Sequence, residues 1–424
     1  MQILNEEKYV EYILDVTARL LAIDSPSGYT EDAARFVANE FLSMGYQPEI
    51  TKKGGILVSL GGMDTENGIL LEAHLDTLGG MVAQVKDNGR LRITPIGGMN
   101  ASNAEAENCR VMTRFNGVYD GTFQLNNASI HVNGDYNTTE RNFDNMEVVL
   151  DEETSSKEET QKLGIRPGDF VCFDPRTRIT EKGYIKSRFL DDKLSVGILL
   201  GFARYLQEEN ICQDRAVYVH ITVYEEVGHG GSASVPEGVS EAISVDMGCV
   251  GEGLSCTERQ VSICAKDSGG PYDFAVVNGL IEAAVKTGAD YAVDVYPHYG
   301  SDVEATLRAG YDLRHGLIGA GVYASHGYER SHRDGVKNTW KVLIGYCART
   351  EQDEEEPSPV SRGGFLKVLN IFLEPGKGSF INQGQKLVQM TQGGLQLIRI
   401  NQAVPEGVCQ LVQVHHPHKT VRIH

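Results

Sequence analysis

Short apolar runs alternate along this chain with segments whose apolar residues return every three to four positions. That alternation restricts the fold more than any single motif does. Residues 6–23 place Val10, Ile13, Leu14, Ala18 and Leu21 on one helical face, and 30–44 read as a second helix stopped at Gly45. Short strands are expected at 47–51, 56–60 and 68–73. Later segments continue the rhythm: helix at 195–208, strands at 216–223 and 242–245, helix at 274–286, strand at 291–295, an apolar run at 317–320 and helix at 337–347. The pattern predicts an α/β fold, a mostly parallel sheet covered by helices on both faces. It is interrupted between 80 and 178 by short alternating segments separated by Asn-Gly, Gly-Gly and Pro-Gly, which read as an inserted small β domain. The expected organisation is an α/β core domain from 1–79 and 179–350, the insertion at 80–178, an exposed acidic linker at 351–364 and a β-rich tail at 365–424.

Charge and cysteine usage narrow the partners. The 58 acidic residues exceed the 39 basic ones, a formal charge of -19. Such a surface repels phosphate backbones and anionic bilayers, so neither nucleic acid nor membrane is an expected partner. The eight cysteines form no CxxC pair, which fits a reducing cytoplasm better than a disulfide framework. The N-terminal apolar run carries acids throughout, unlike a signal peptide, and no uncharged apolar stretch is long enough to span a bilayer. A cytoplasmic location is expected.

Ionisable residues end several of the apolar runs: His74 and Asp76 in ILLEAHLDT, Asp191 and Asp192 in RFLDDKLSVG, Glu225 and Glu226 in HITVYEEVGHGG, Asp246 in AISVDMG, His326 in YASHGYERSH. Ligands bind at the carboxyl edge of such a sheet. Taken singly each has a plain explanation: a surface pair, a helix cap, a solvated loop, a turn. Together they concentrate negative charge that needs a cation to compensate it. Two imidazoles and three carboxylates suffice to give each of two divalent ions one His and one carboxylate, with a third carboxylate bridging. That donor set suits Zn²⁺, Co²⁺ or Mn²⁺ better than Mg²⁺ or Ca²⁺. Of the adjacent Glu225 and Glu226, one can ligate while the other faces a water as general base.

HLD at 74–76, LDDKLSVG at 190–197, YEEVGHGG at 224–231, VDMG at 245–248 and SHGYE at 325–329 resemble, in order and spacing, the tetrahedral (TET-type), glutamyl and deblocking metallo-aminopeptidases. The resemblance covers about residues 5–348. KDSGGPYD, YPHYGSD and ASHGYERSH are similar, within it, to hydrolases associated with N-acetylglutaminylglutamine amide osmoprotectant clusters. The resemblance implies that His74 and Asp246 hold one metal, Glu226 and His326 the other, and Asp191 bridges. It makes Glu225 the general base and Asp76 the acceptor of the free N–H of His74. Gly327 stands where the family has Ser or Thr, and His229 and His332 are alternative ligands nearby. The implied function is a co-catalytic aminopeptidase acting on N-terminal peptide bonds, with self-assembly from dimer to dodecamer. The alternatives are an amidohydrolase or deacylase acting on small acylated dipeptides, and a metal-free scaffold of the same fold. The tail lies outside the resemblance.

Overall fold

The computed structural model describes residues 3–348 and, beyond them, the backbone of four strands. The chain divides into two compact units, Met1–Glu355 and Glu356–His424. In the second unit, Leu387–Thr391 pairs antiparallel with Gly394–Ile398, and Val412–His416 with Lys419–Ile423. The acidic run at 351–364 lies outside the described residues.

A 12-stranded sheet organises the first unit. Its centre is parallel, with Arg215–Thr222, Asp64–His74, Val239–Val245 and Arg314–Tyr323 side by side in that order. The central strand is buried without interruption from Gly68 to His74, as expected where both faces of the sheet are covered. Register sets where the strands end. Thr222 lies opposite His74, Ser244 opposite Glu72, and Val245 opposite Ile318, so these strands finish on the same edge.

The sheet as a whole is mixed, which corrects the expectation of a mostly parallel one. Ile56–Gly61 runs antiparallel on one flank, and Glu329–His332 and Tyr184–Ser187 on the other. The last two read ERSH and YIKS. They are too short and too polar to show a period, and their placement comes from tertiary pairing.

Seven α-helices are present among the described residues. Leu190–Glu208 starts ahead of the expected residue 195, and Arg333–Cys347 ahead of 337, where the His332 ring accepts the amide of Asp334. Phe274–Thr287 is capped at one end by Asp273, whose carboxylate accepts the amides of Ala275 and Val276. It ends at the other in Gly288 with φ 63°. Leu190–Glu208 crosses Glu6–Leu21 closely because Gly197 and Gly201 leave room. A Cβ at Gly201 would lie 2.2 Å from Cγ1 of Ile13. No helix among the described residues is long and apolar enough to cross a membrane.

Gly79–Val85, Leu91–Ile96, Met146–Leu150, Val118–Leu125, Glu107–Met112 and Phe170–Phe173 close into a barrel. Val82, Ile93, Val111, Phe123, Val148 and Phe173 are buried in its core. The chain enters the barrel just after His74 and, after Phe173, returns to the large sheet through Arg178–Ile179 and Tyr184–Ser187 before reaching Asp191. Arg110 forks onto Asp24 at 2.8 Å and also pairs with Asp174, which ties the barrel wall to the chain on either side.

Candidate metal centre

Each expected residue comes from the end of an element. His74 is the last residue of its strand, and Asp246 follows the last residue of Val239–Val245. Asp191 and Asp192 open the helix Leu190–Glu208, and the peptide bond between them is cis. Glu225 and Glu226 form the short turn Glu225–Val227 beyond Thr222. His326 sits between Arg314–Tyr323 and Glu329–His332. Phe189, Tyr224, Ala324 and His326 all have φ between 59° and 72°, a left-handed backbone that costs a bulky residue about 1–3 kcal/mol and persists where surrounding contacts hold it.

The parallel register brings these ends together. His74 Nε2 is 3.0 Å from Asp191 Oδ1 and 3.7 Å from Glu225 Oε2. His326 Nε2 is 3.5 Å from Asp191 Oδ2 and 3.7 Å from Glu226 Oε2. One donor atom from each of His74, Asp191 and Asp246 lies within 4.8 Å of the others, and the same holds for Asp191, Glu226 and His326. Asp191 belongs to both groups and turns one oxygen to each imidazole.

The imidazoles are oriented by carbonyls, which can only accept, so each Nδ1 carries the proton and each Nε2 faces the acids. His74 Nδ1 donates to the backbone carbonyl of Asp76 at 2.9 Å, and His326 Nδ1 to that of Gly98 at 3.3 Å. Asp76 is thus the acceptor of the free N–H of His74 through its main chain, while its carboxylate stands 3.8 Å from His74 Nδ1. That carboxylate accepts the Ser27 hydroxyl and, at 3.1 Å, the amide of Glu225. Asp76 therefore supports the His74 ring through its main chain and the Glu225 turn through its side chain.

The electrostatics fit a cation. Burial pushes the Glu225 and Glu226 carboxyls well up, with neighbouring acids adding to it, and lifts Asp246 to about 6. His326 is raised to about 10 by its hydrogen bond to Asp191. For His74 burial works downward, yet the surrounding carboxylates leave it raised. Among the described residues, the cationic partners within 4 Å of Asp191, Glu225 and Glu226 are these two histidines. Glu226 Oε1 is buried and has no hydrogen-bond partner. Two His nitrogens, carboxylates on either side and a buried oxygen lacking a donor match the needs of divalent transition ions.

The alternative histidines lie elsewhere. His332 spends both ring nitrogens on its own surroundings, Nδ1 on Asp334 N at 3.0 Å and Nε2 on the carbonyl of Lys182 at 2.8 Å. His229 is exposed and stacks on Tyr224 with centroids 5.1 Å apart. Asp192 joins neither group; its Oδ2 accepts the amide of His74 at 3.2 Å. Several contributors were invisible to spacing. Asp302, with Oδ1 unpartnered, bonds Thr222 at 2.6 Å, and Glu72 bonds His220 and Thr306. Glu329 accepts two amides within the centre. Glu329 and Asp302 close the SHGYE and YPHYGSD stretches, but nothing in their spacing marked either as part of the centre.

The family model for M42 glutamyl aminopeptidases matches residues 54–342. The chain belongs to the M42 family. YhfE of Bacillus subtilis (strain 168), which its name assigns provisionally to the aminopeptidases, is 40% identical over 337 residues, 80% of this chain and 97% of that protein. Among solved structures, the aminopeptidase APDkam598 of Desulfurococcus kamchatkensis is similar with a TM-score of 0.71 at 23% identity, covering 81% of this chain and 96% of its own. The TET1 peptidase of Pyrococcus horikoshii, described as assembling into a tetrahedron or a large octahedral shell, is similar with a TM-score of 0.69 at 22% identity, covering 78% and 98%. These comparisons reach the M42 family and not its osmoprotectant-associated branch. The M42 chain is thus a peptide hydrolase with aminopeptidase function, in a family that depends on metal.

Proposed function

We propose that this M42 chain is a co-catalytic aminopeptidase that holds two divalent ions, Zn²⁺ or Co²⁺ by preference and Mn²⁺ as a third option, and releases N-terminal residues from peptides. His74 and Asp246 hold one ion, Glu226 and His326 the other, and Asp191 bridges. The observation that carries this reading is Asp191, whose two oxygens face two different imidazoles at 3.0 and 3.5 Å. Bound ions of this kind supply Lewis acidity and a water acidic enough to ionise near neutral pH.

The protein's own groups do the remaining work. Glu225, fixed at its amide by Asp76, takes a proton from the attacking water and delivers it to the departing amine. Desolvation raises its affinity for that proton, which suits a group that must accept it and then release it. Leu78, Met99 and Phe189 wall the cavity beside Asp191, Glu226 and His326. Residues 1–79 and 179–350 form the peptidase domain in this reading, and the inserted domain at 80–178 contributes to assembly and to substrate access. Homo-oligomerisation is proposed from the assembly described for the P. horikoshii peptidase.

Glu225→Gln is the decisive variant. It keeps shape and metal content while turnover on aminoacyl-anilides falls about 10²–10⁴-fold. Asp191→Ala in parallel loses metal. Near-normal turnover in Glu225→Gln, or full metal in Asp191→Ala, removes the assigned roles.

A further inference from the structure

We propose that Glu329 is a positioning residue that fixes the spacing between the bridging carboxylate and the distal imidazole, and so sets the affinity of the His326–Glu226 ion site. This rests on the two-metal reading above. The Glu329 side chain is buried, with the residue 2% exposed. Its two oxygens are spent on main chain: Oε2 accepts the amide of Asp191 at 3.1 Å and Oε1 the amide of His326 at 3.0 Å. One carboxylate thus clamps the backbones of two residues that approach one another only through tertiary pairing.

The clamp stands where the local backbone is least able to hold itself. His326 has φ 59°, and Phe189, two residues before Asp191, has φ 68°. Left-handed backbone at such residues relaxes unless neighbouring contacts fix it. Glu329 begins the strand Glu329–His332 and lies opposite Ser187, so the pairing of that strand with Tyr184–Ser187 delivers the carboxylate between the two loops. With both oxygens occupied, Glu329 is a support for ligands and not a ligand. Apart from the shared Asp191, Glu329 touches His326 but neither His74 nor Asp246; the amide of Met247 holds Asp246 and the Asp76 carbonyl holds His74. Loss of Glu329 should therefore fall unequally on the two ions.

The test is Co²⁺ titration of metal-free full-length protein, followed by visible absorption, for the wild type and Glu329→Gln. The glutamine keeps the volume but turns one acceptor into a donor facing an amide. The expected result is one Co²⁺ bound as in the wild type and the other weakened about 10–100-fold, the range for groups that orient metal ligands. Equal affinities for both ions in the variant and the wild type overturn the proposal. Equal weakening of both ions also overturns it, since that is the mark of a general structural defect. If Glu329→Gln does not fold, Glu329→Asp must show the same unequal loss, and equal binding there overturns the proposal too. A wild type that binds no Co²⁺ would instead remove the two-metal reading.

Discussion

At the scale of single residues, hydrogen bonds separate the jobs of the buried acids around the centre. Asp76 and Glu329 accept backbone amides and shape loops. Asp191 and Glu226 instead present oxygens to imidazoles or, at Glu226 Oε1, to no hydrogen-bond donor, an arrangement that a cation would satisfy. A third situation stands apart from the centre. Burial and a hydrogen bond with Asp267 raise Glu304 from 4.5 to about 7, partly opposed by Arg308 at 3.1 Å. Asp267 is itself buried and accepts the Tyr272 hydroxyl at 2.6 Å. Because the folded state holds the Glu304 proton more tightly than the unfolded chain, the stabilisation is complete below pH 4.5 and disappears as pH rises through about 7. Unfolding midpoints measured from pH 5 to 8 should decline in the wild type, and Glu304→Gln should flatten that decline by keeping a neutral donor toward Asp267. An identical slope in the two proteins would show that Glu304 does not carry the effect.

At the scale of elements, the crossing of Glu6–Leu21 with Leu190–Glu208 depends on absent side chains. Alanine at Gly201 improves intrinsic helix propensity by up to about 1 kcal/mol. It also drives a methyl into the β-branched Ile13, whose χ1 has little freedom to yield. Overpacking of this kind costs about 1–3 kcal/mol, so Gly201→Ala should lower the denaturant midpoint despite the better helix former. A raised midpoint would mean that the helices separate at little cost. The same helix shows what the sequence could disclose. Its apolar period was legible from Ser195, but its first turn is bent around Asp191 and Asp192, with non-helical ψ of 101° at Asp191, and so carries no period. The core strand through Gly68 to His74 was legible because it is buried on both faces. The antiparallel flank was not, because Tyr184–Ser187 and Glu329–His332 are four residues each and are placed by pairing across the chain. Candidate site residues were legible as acids and histidines that end apolar runs. The atom through which each acts was not, as Asp76 demonstrates: spacing puts it beside His74 but cannot choose between its carbonyl and its carboxylate.

At the scale of the whole molecule, fold and centre are one thermodynamic unit. Elements distant in sequence bring Asp191, Glu225, Glu226 and Asp246 into a buried space, and burial opposes charging of Glu225, Glu226 and Asp246 there. An unfolded chain has no such convergence and binds a divalent ion only weakly and diffusely, even with a formal charge of -19. Ions therefore stabilise the folded state by mass action, about 2.7 kcal/mol for a single site at a hundredfold excess over its dissociation constant. Chelator-treated protein should unfold at a lower temperature, and the midpoint should climb with the logarithm of added Zn²⁺ or Co²⁺. Asp191→Ala separates this from diffuse binding to an acidic surface, because the variant keeps nearly all of that surface charge while losing the residue shared by both donor groups. Its midpoint should be almost insensitive to the same ions. If the wild type were equally insensitive, the convergence of these side chains would have to be explained without a cation; if the variant responded as strongly as the wild type, the ions would be binding somewhere other than around Asp191.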